Sequence, residues 1–204
     1  DNAITSWFWD FGDGDTSTAQ NPTHKYTDNG TYTVTLTVWN DAGENDTCSY
    51  DIVVLNVAPT ANFAYSPSSP TILDTVAFAD LSTDSDGTIV NWTWDFGDGN
   101  TSYEQNPTHQ YASKTTYTVT LTVTDDDGAT ASVSKEITVV NIAPTADYEH
   151  TVVDKNVTFN STSTDPDGTI VNWTWDFGDG TMGYDADIVH TYADYGTYNV
   201  TLTV

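Results

Sequence analysis

Six residues, Trp9-Asp10-Phe11-Gly12-Asp13-Gly14, recur at Trp94–Gly99 and again at Trp175–Gly180. The rest of the surrounding sequence keeps step. His24 and Tyr26 match His109 and Tyr111, then His190 and Tyr192. The stretch Thr31–Val38 reads the same as Thr116–Val123, and Thr197–Val204 differs from both only at Asn199. Asn56-Val57-Ala58-Pro59-Thr60 matches Asn141–Thr145. Self-similarity at one period means one structural unit laid down several times. Cutting at the Asn-x-Ala-Pro joints predicts a complete unit over 56–140. A unit lacking its first strands precedes it over 1–55, and one lacking its last strand follows over 141–204. The chain opens on Asp1 and shows no leader segment, so it is expected to be a mature or excised piece of something larger. Two readings of the incomplete ends stand open. Either this is a window on a longer chain, or neighbouring chains donate the missing strands and build a fibre.

Within a unit the polarity alternates with period two. Tyr117, Val119, Leu121 and Val123 share one parity, and Thr116, Thr118, Thr120 and Thr122 share the other. That is a half-buried antiparallel strand with a hydroxyl-rich wet face. Val90, Trp92, Trp94 and Phe96 also share a parity. Strands are expected near 60–65, 73–81, 89–96, 107–111, 116–124 and 130–140, separated by Gly, Asp, Asn and Pro clusters. Six or seven short strands in such a unit imply an all-β fold of tandem β-sandwiches.

Composition then limits the function. Thirty acidic residues face four lysines, Lys25, Lys114, Lys135 and Lys155, for a net charge of −26. A polyanion of this kind excludes nucleic acid as a partner. It also disfavours an anionic membrane surface. No apolar run approaches a membrane span, so no membrane insertion is expected in this segment. The chain is nevertheless not a disordered acidic tail, because 7 Trp and 12 Tyr supply a core. Glutamate occurs only at positions 44, 104, 136 and 149, and the rest of the acidity is aspartate, a residue of turns. The acidity therefore belongs in loops, facing cations or salt.

Trp-Asp-Phe-Gly-Asp-Gly, then Asn-Pro-Thr-His-x-Tyr, then Tyr-Thr-Val-Thr-Leu-Thr-Val, resembles the polycystic-kidney-disease (PKD) domain. The resemblance covers essentially the whole chain in three copies. It implies tandem immunoglobulin-like sandwiches in an extracellular protein, of the kind found in archaeal and bacterial surface proteins. The third copy departs from the pattern at Asp187-Ile188-Val189-His190, where the proline before the histidine is lost, and an altered loop is expected there.

In an immunoglobulin-like sandwich the second-to-third and sixth-to-seventh loops lie at one end, beside the chain entry. Asn56, Asp84, Asp86 and Asp125 are therefore expected to converge. Carboxylates, an amide and backbone oxygens suit a hard cation of flexible coordination, which favours Ca²⁺ over Mg²⁺. The resemblance implies calcium as well, since similar domains of secreted collagenases bind it at matching positions. Asn141, Asp165 and Asp167 form the matching set in the third unit. In the first unit Asn40 and Asp41 stand where Asp125 stands, an expected weaker site. The competing reading is that Asp-x-Asp-Gly is only a polar turn. Calcium at a short Pro-containing joint is expected to stiffen the chain into a rod.

The tryptophans of the six-residue motif read as core, and Trp92 and Trp173 are the candidates for stacking on sugar rings. The histidines read as structural hydrogen bonders, and Cys48 as a small buried apolar residue. Asn29, Asn45, Asn91, Asn100, Asn156, Asn160, Asn172 and Asn199 lie in Asn-x-Ser/Thr sequons, which makes glycosylation on a secreted route plausible. No nucleophile elbow, zincin motif or phosphate loop is present. The expected function is therefore non-catalytic: a structural or adhesive rod at the cell surface, in a layer, stalk or filament. Its expected partners are further repeats of the same chain or same-protein neighbours, with glycans as a further candidate. The alternative is a spacer or substrate-targeting array of a secreted protease or polysaccharide-degrading enzyme.

Overall fold

A computed structural model describes residues 3–204, and among them no helix occurs. The described residues cluster into two compact units. The first unites Asp1–Tyr65, Ala77–Thr108 and Thr118–Glu136, and the second Ser66–Val76, His109–Tyr117 and Ile137–Val204. Each sequence repeat builds its own sheets. The first contributes β1 (Ile4–Asp10), β2 (Thr16–Ser17), β3 (Gly30–Asn40) and β4 (Asn45–Val54), in one sheet of order β2-β1-β3-β4.

The central repeat contributes β5 (Phe63–Ser66), β6 (Val76–Asp80), β7 (Ile89–Asp95), β8 (Thr101–Ser102), β9 (Thr108–His109), β10 (Thr116–Asp125) and β11 (Thr130–Thr138). These make two sheets, β5-β6-β9 and β11-β10-β7-β8. The third repeat contributes β12 (Tyr148–Val153), β13 (Asn156–Ser161), β14 (Thr174–Asp176), β15 (Met182–Gly183), β16 (Asp187–Thr191) and β17 (Thr201–Thr203). Its sheets are β12-β13-β16 and β15-β14-β17. The expected all-β architecture of tandem sandwiches is what the chain adopts.

In the central and third repeats the second tryptophan of the Trp-x-Trp pair joins the two layers. Trp94 on β7 meets Phe63 of β5 and Phe78 of β6, with ring centroids 5.2 and 5.3 Å away. Trp175 on β14 meets Tyr148 of β12 and Phe159 of β13 at 5.1 and 5.3 Å. Neither indole is exposed to water. Each nevertheless satisfies its N–H. Trp94 donates to the Glu104 carbonyl and Trp175 to the Asp185 carbonyl, both at 2.9 Å. A buried indole without such an acceptor would carry a desolvation penalty.

The expected alternation on β10 is present, with Val119, Leu121 and Val123 fully buried. The threonine face pairs its hydroxyls across to β11, Thr120 with Ser134 at 2.9 Å and Thr122 with Ser132 at 2.8 Å. On β7 the expected parity breaks at Val90, which is 46% exposed. The cause is a bulge. Thr124 pairs with Asn91 and the next residue, Asp125, with Ile89, so Val90 is the extra residue. Cys48 is also exposed rather than buried. It lies on β4, the edge strand of its sheet, and no second layer covers β4 among the described residues.

The six-residue motif is a packing device. Its first glycine takes positive φ in every copy, +80° at Gly97, and a Cβ there would meet the Thr118 carbonyl oxygen at 2.5 Å. The aspartate two residues earlier accepts that glycine's N–H, as Asp95 does from Gly97 at 2.9 Å. The histidine and tyrosine that follow close over the motif. In the third repeat His190 stacks on Phe177 at 4.1 Å, and Tyr192 O–H donates to the Phe177 carbonyl at 3.1 Å. The first repeat repeats both contacts through His24 and Tyr26 on Phe11.

Two substitutions test this frame. Trp94→Ala is expected to destabilise the central repeat by about 3–5 kcal/mol, read by denaturant unfolding. Gly97→Ala combines a left-handed backbone with a backbone clash, and a loss of about 2 kcal/mol or more is expected in the same assay.

Candidate metal centre

Asp125 is the last residue of β10, and the strand's alternation carries it to the inward face, where it is 1% exposed. Its two oxygens are divided. Oδ1 accepts the N–H groups of Asp127 at 3.1 Å and Ala129 at 2.7 Å, which closes the β10–β11 turn. Oδ2 accepts Asn56 Nδ2 at 3.0 Å, which ties the start of the repeat to the end of that strand. Asp86 reaches the same joint, its Oδ2 accepting the Val57 N–H at 2.9 Å. Asp84 Oδ1 faces the Asp86 N–H at 3.5 Å. Asn56 thus meets Asp125, and the neighbouring Val57 meets Asp86 and through it Asp84, so the four expected residues gather at the Asn56–Val57 joint, although their carboxylates do not form a cluster with ligand atoms within 4.8 Å of one another.

Two oxygens of that network are left over. Asp84 Oδ2 and Asp86 Oδ1 are buried and accept no hydrogen bond. A buried carboxylate oxygen without a donor is costly unless a cation supplies its counter-charge. Gly87 permits the crowding, because a Cβ there would lie 2.5 Å from Asp126 Oδ1 and 3.2 Å from Asp84 Oδ2. Asp126 was not singled out by residue type or spacing. Its Oδ1 accepts the Thr88 N–H at 2.8 Å and its own N–H donates to the Thr88 carbonyl, so it locks the Asp84–Gly87 loop against the β10–β11 turn. The only signal for it in the sequence is its place in the run Asp125-Asp126-Asp127. Asp127, though exposed, is pushed above the usual carboxylate range by lost hydration and by the charges of Asp126, Asp28 and Asp125, against a hydrogen bond from Asn29.

The third repeat rebuilds the loop. Asp167 Oδ2 accepts the Ile142 N–H at 3.0 Å and Asp165 Oδ1 accepts the Asp167 N–H at 3.2 Å. Asn141 turns its Nδ2 to the Ile142 carbonyl at 2.8 Å. In the first repeat Asn40 takes the turn-closing role of Asp125, accepting the N–H groups of Ala42 at 3.0 Å and Glu44 at 2.9 Å. Its amide nitrogen donates to Glu44 Oε2. Asp41 is exposed, and its N–H donates to the Ala3 carbonyl. Among the described residues, no further carboxylate pair like Asp84 and Asp86 joins Asn40 and Asp41.

Trp92 and Trp173 are half-buried braces. Trp92 Nε1 donates to Asp80 Oδ2 at 2.7 Å, and Trp173 Nε1 to Ser161 Oγ at 3.2 Å. Seven of the sequon asparagines are exposed, and Asn29 is half-buried. The histidines bind the aspartate of the Gly-Asp-Gly turn, His24 to Asp13 at 2.6 Å and His190 to Asp179 at 2.7 Å. Asp15 completes a set with Asp13 and His24 whose ligand atoms lie within 4.8 Å of one another. The matching residue in the third repeat is Thr181, whose Oγ1 donates to Asp179 at 2.6 Å.

The PKD domain profile matches residues 1–54, 56–140 and 141–204. The chain belongs to the PKD domain family. It is 37% identical over 151 residues to the pre-pro-metalloprotease PrtV of Vibrio cholerae, which covers 73% of this chain and 16% of that protein. It is 36% identical over 110 residues to a microbial collagenase of Vibrio alginolyticus, covering 53% of this chain and 13% of the collagenase. The solved PKD1 domain of the Vibrio cholerae metalloprotease PrtV is 41% identical, with 42% of this chain and all of that domain covered and a TM-score of 0.38. The chain thus spans under a fifth of the length of these two relatives.

The Asp179–His190 pair sets a pH dependence for this family unit. The Thr181 hydroxyl, then His190 and the Thr181 N–H, outweigh lost hydration and lower the Asp179 carboxyl to about 2. A lowered acid contributes stability that is complete above its unfolded value of about 4 and disappears as pH falls through about 2. The melting-temperature gap between the wild type and Asp179→Asn is therefore expected to close as pH drops across that window.

Proposed function

We propose that this chain is a non-catalytic spacer or substrate-targeting array of an extracellular hydrolase, with Ca²⁺ bound at the acidic loop of the central repeat. The relatives carry the first half of the reading. In a metalloprotease and a collagenase, the stretch similar to this chain is a small share of the whole, and the bulk lies elsewhere. A PKD array in that setting separates or aims a catalytic domain. The cell-surface layer, stalk or filament expected above has no such support among these relatives, so the hydrolase setting takes its place. No helix of the described residues is long and apolar enough to cross a membrane, which says nothing of a β-barrel.

The calcium half rests on the donor set. Asp84 Oδ2 and Asp86 Oδ1 are hard oxygens in need of a cation. Asn56 offers its amide oxygen, since its nitrogen is already spent on Asp125. All donors are oxygen, and they come from irregular loops, which suits calcium better than the small octahedral magnesium ion. Bound there, calcium supplies counter-charge and ties the chain entry at Asn56 to the Asp84–Asp86 loop. The same residues explain how a joint with no flexible linker would stiffen.

Calcium titration of the 204-residue chain by calorimetry is expected to show binding, with a melting temperature that rises with calcium. At a hundredfold excess over Kd the gain is about 2.7 kcal/mol. Asp84→Asn with Asp86→Asn is expected to remove both effects; an undiminished heat in that double variant overturns the site. For the array itself, the full-length protein decides. A catalytic domain on the same chain supports the reading, and a long run of repeats ending in an anchor overturns it.

A further inference from the structure

The central and third repeats hold their Asp-x-Asp-Gly loops with one hydrogen-bond scheme. Asp86 and Asp167 each spend Oδ2 on the second N–H of their Asn-Val or Asn-Ile joint, Val57 at 2.9 Å and Ile142 at 3.0 Å. They differ at Oδ1. Asp86 Oδ1 is buried and has no donor. Asp167 Oδ1 lies 3.1 Å from the ammonium of Lys114, and the Asp167 side chain has no exposed surface. The same Lys114 Nζ donates to Asn141 Oδ1. One lysine thus touches the two groups of the third repeat that correspond to Asn56 and Asp86.

We propose that the Lys114 ammonium serves as the built-in cation of the third repeat's loop, so that this loop is held without a divalent ion while the central loop requires one. The second half of this statement rests on the calcium reading above.

The repeat register supports the assignment. Lys114 lies three residues after Tyr111, and the residue three after Tyr26 is Asn29. Asn29 reaches the central repeat's acidic loop too, where it hydrogen-bonds Asp127. It brings no charge. The central loop therefore keeps Asp84, Asp86, Asp125, Asp126 and Asp127 without an ammonium from this position, and the third loop receives one. The chain has four basic residues in 204, so a lysine at this register is a specific placement. Two of the others turn elsewhere: Lys135 donates to Asn62 Oδ1 and the Phe63 carbonyl, and Lys155 to the Ala193 carbonyl. A tethered ammonium differs from calcium in one functional respect, because a chelator cannot remove it. The two loops of one chain then differ in their response to calcium.

The test is amide hydrogen exchange on the 204-residue chain with and without chelator, reading Ile142 and the Thr145–Thr164 bridge amides. The wild-type amides of the third loop are expected to stay protected in chelator. Lys114→Met leaves a buried carboxylate unpaired, and protection at Ile142 is expected to fall about tenfold or more. Lys114→Arg, which keeps the charge, is expected to restore most of it. Asn29→Lys is the reciprocal variant, expected to abolish the calcium heat of the central loop. Wild-type exchange in Lys114→Met, or third-loop protection that collapses in chelator with Lys114 intact, overturns the inference. If the wild type binds no calcium at all, the calcium reading fails, and the Lys114 variants still decide the role of Lys114 on their own.

Discussion

A buried indole that must lose its water and keep its hydrogen bond governs the sandwiches of the central and third repeats. Trp94 and Trp175 supply the apolar area that holds two thin sheets together. Each also needs an acceptor, and finds it in a carbonyl ten residues on, Glu104 or Asp185. That requirement brings the segment after the Gly-Asp-Gly turn back against the strand. The histidine and tyrosine then have a surface to stack on, and the phenylalanine carbonyl a donor. The six-residue motif is thus the hinge on which the layer contact, the turn and the following strand are all hung.

Acidity has two separate uses in such a unit. The motif aspartates are consumed locally: Asp95 and Asp176 cap the first motif glycine, and Asp98 and Asp179 accept the backbone N–H two residues on. Those carboxylates form turns. The second set, Asp84, Asp86 and Asp125, is drawn from two distant loops into one joint, and there the hydrogen-bond supply runs short by two oxygens. The distinction matters for a chain of net charge −26. Most of the charge is solvated or spent on turns, and the functional part is the small remainder that the backbone cannot satisfy. An array built this way can present different joints from nearly identical repeats by changing one residue that faces the acidic loop.

Much of this was legible in the sequence for a physical reason. Repeats, period-two polarity and Gly-Asp-Gly turns are local signals, and local signals survive without coordinates. They yielded the all-β class, the sandwich and the wet threonine face, and the loop arrangement of an immunoglobulin-like sandwich then placed Asn56, Asp84, Asp86 and Asp125 at one end. Exposure of Val90 and Cys48 was misread because both depend on what lies opposite. Val90 is displaced by a bulge whose cause is the register between β7 and β10, and Cys48 lies on an edge strand. Asp126 and Lys114 escaped notice because nothing in their spacing distinguishes them from solvated loop residues.

The sequence by itself determined the unit, its number of copies, its strands and which aspartates are near in register. These follow from short-range periodicity and turn chemistry, which every copy states independently. Only the tertiary structure decided which carboxylate oxygens find a donor. That depends on angles and distances between loops nearly 40 residues apart, where an ångström separates an N–H that is shared from one that is missing. It therefore decided that Asp86 and Asp167 each keep an Oδ1 without a hydrogen bond, and that at Asp167 an ammonium stands 3.1 Å away.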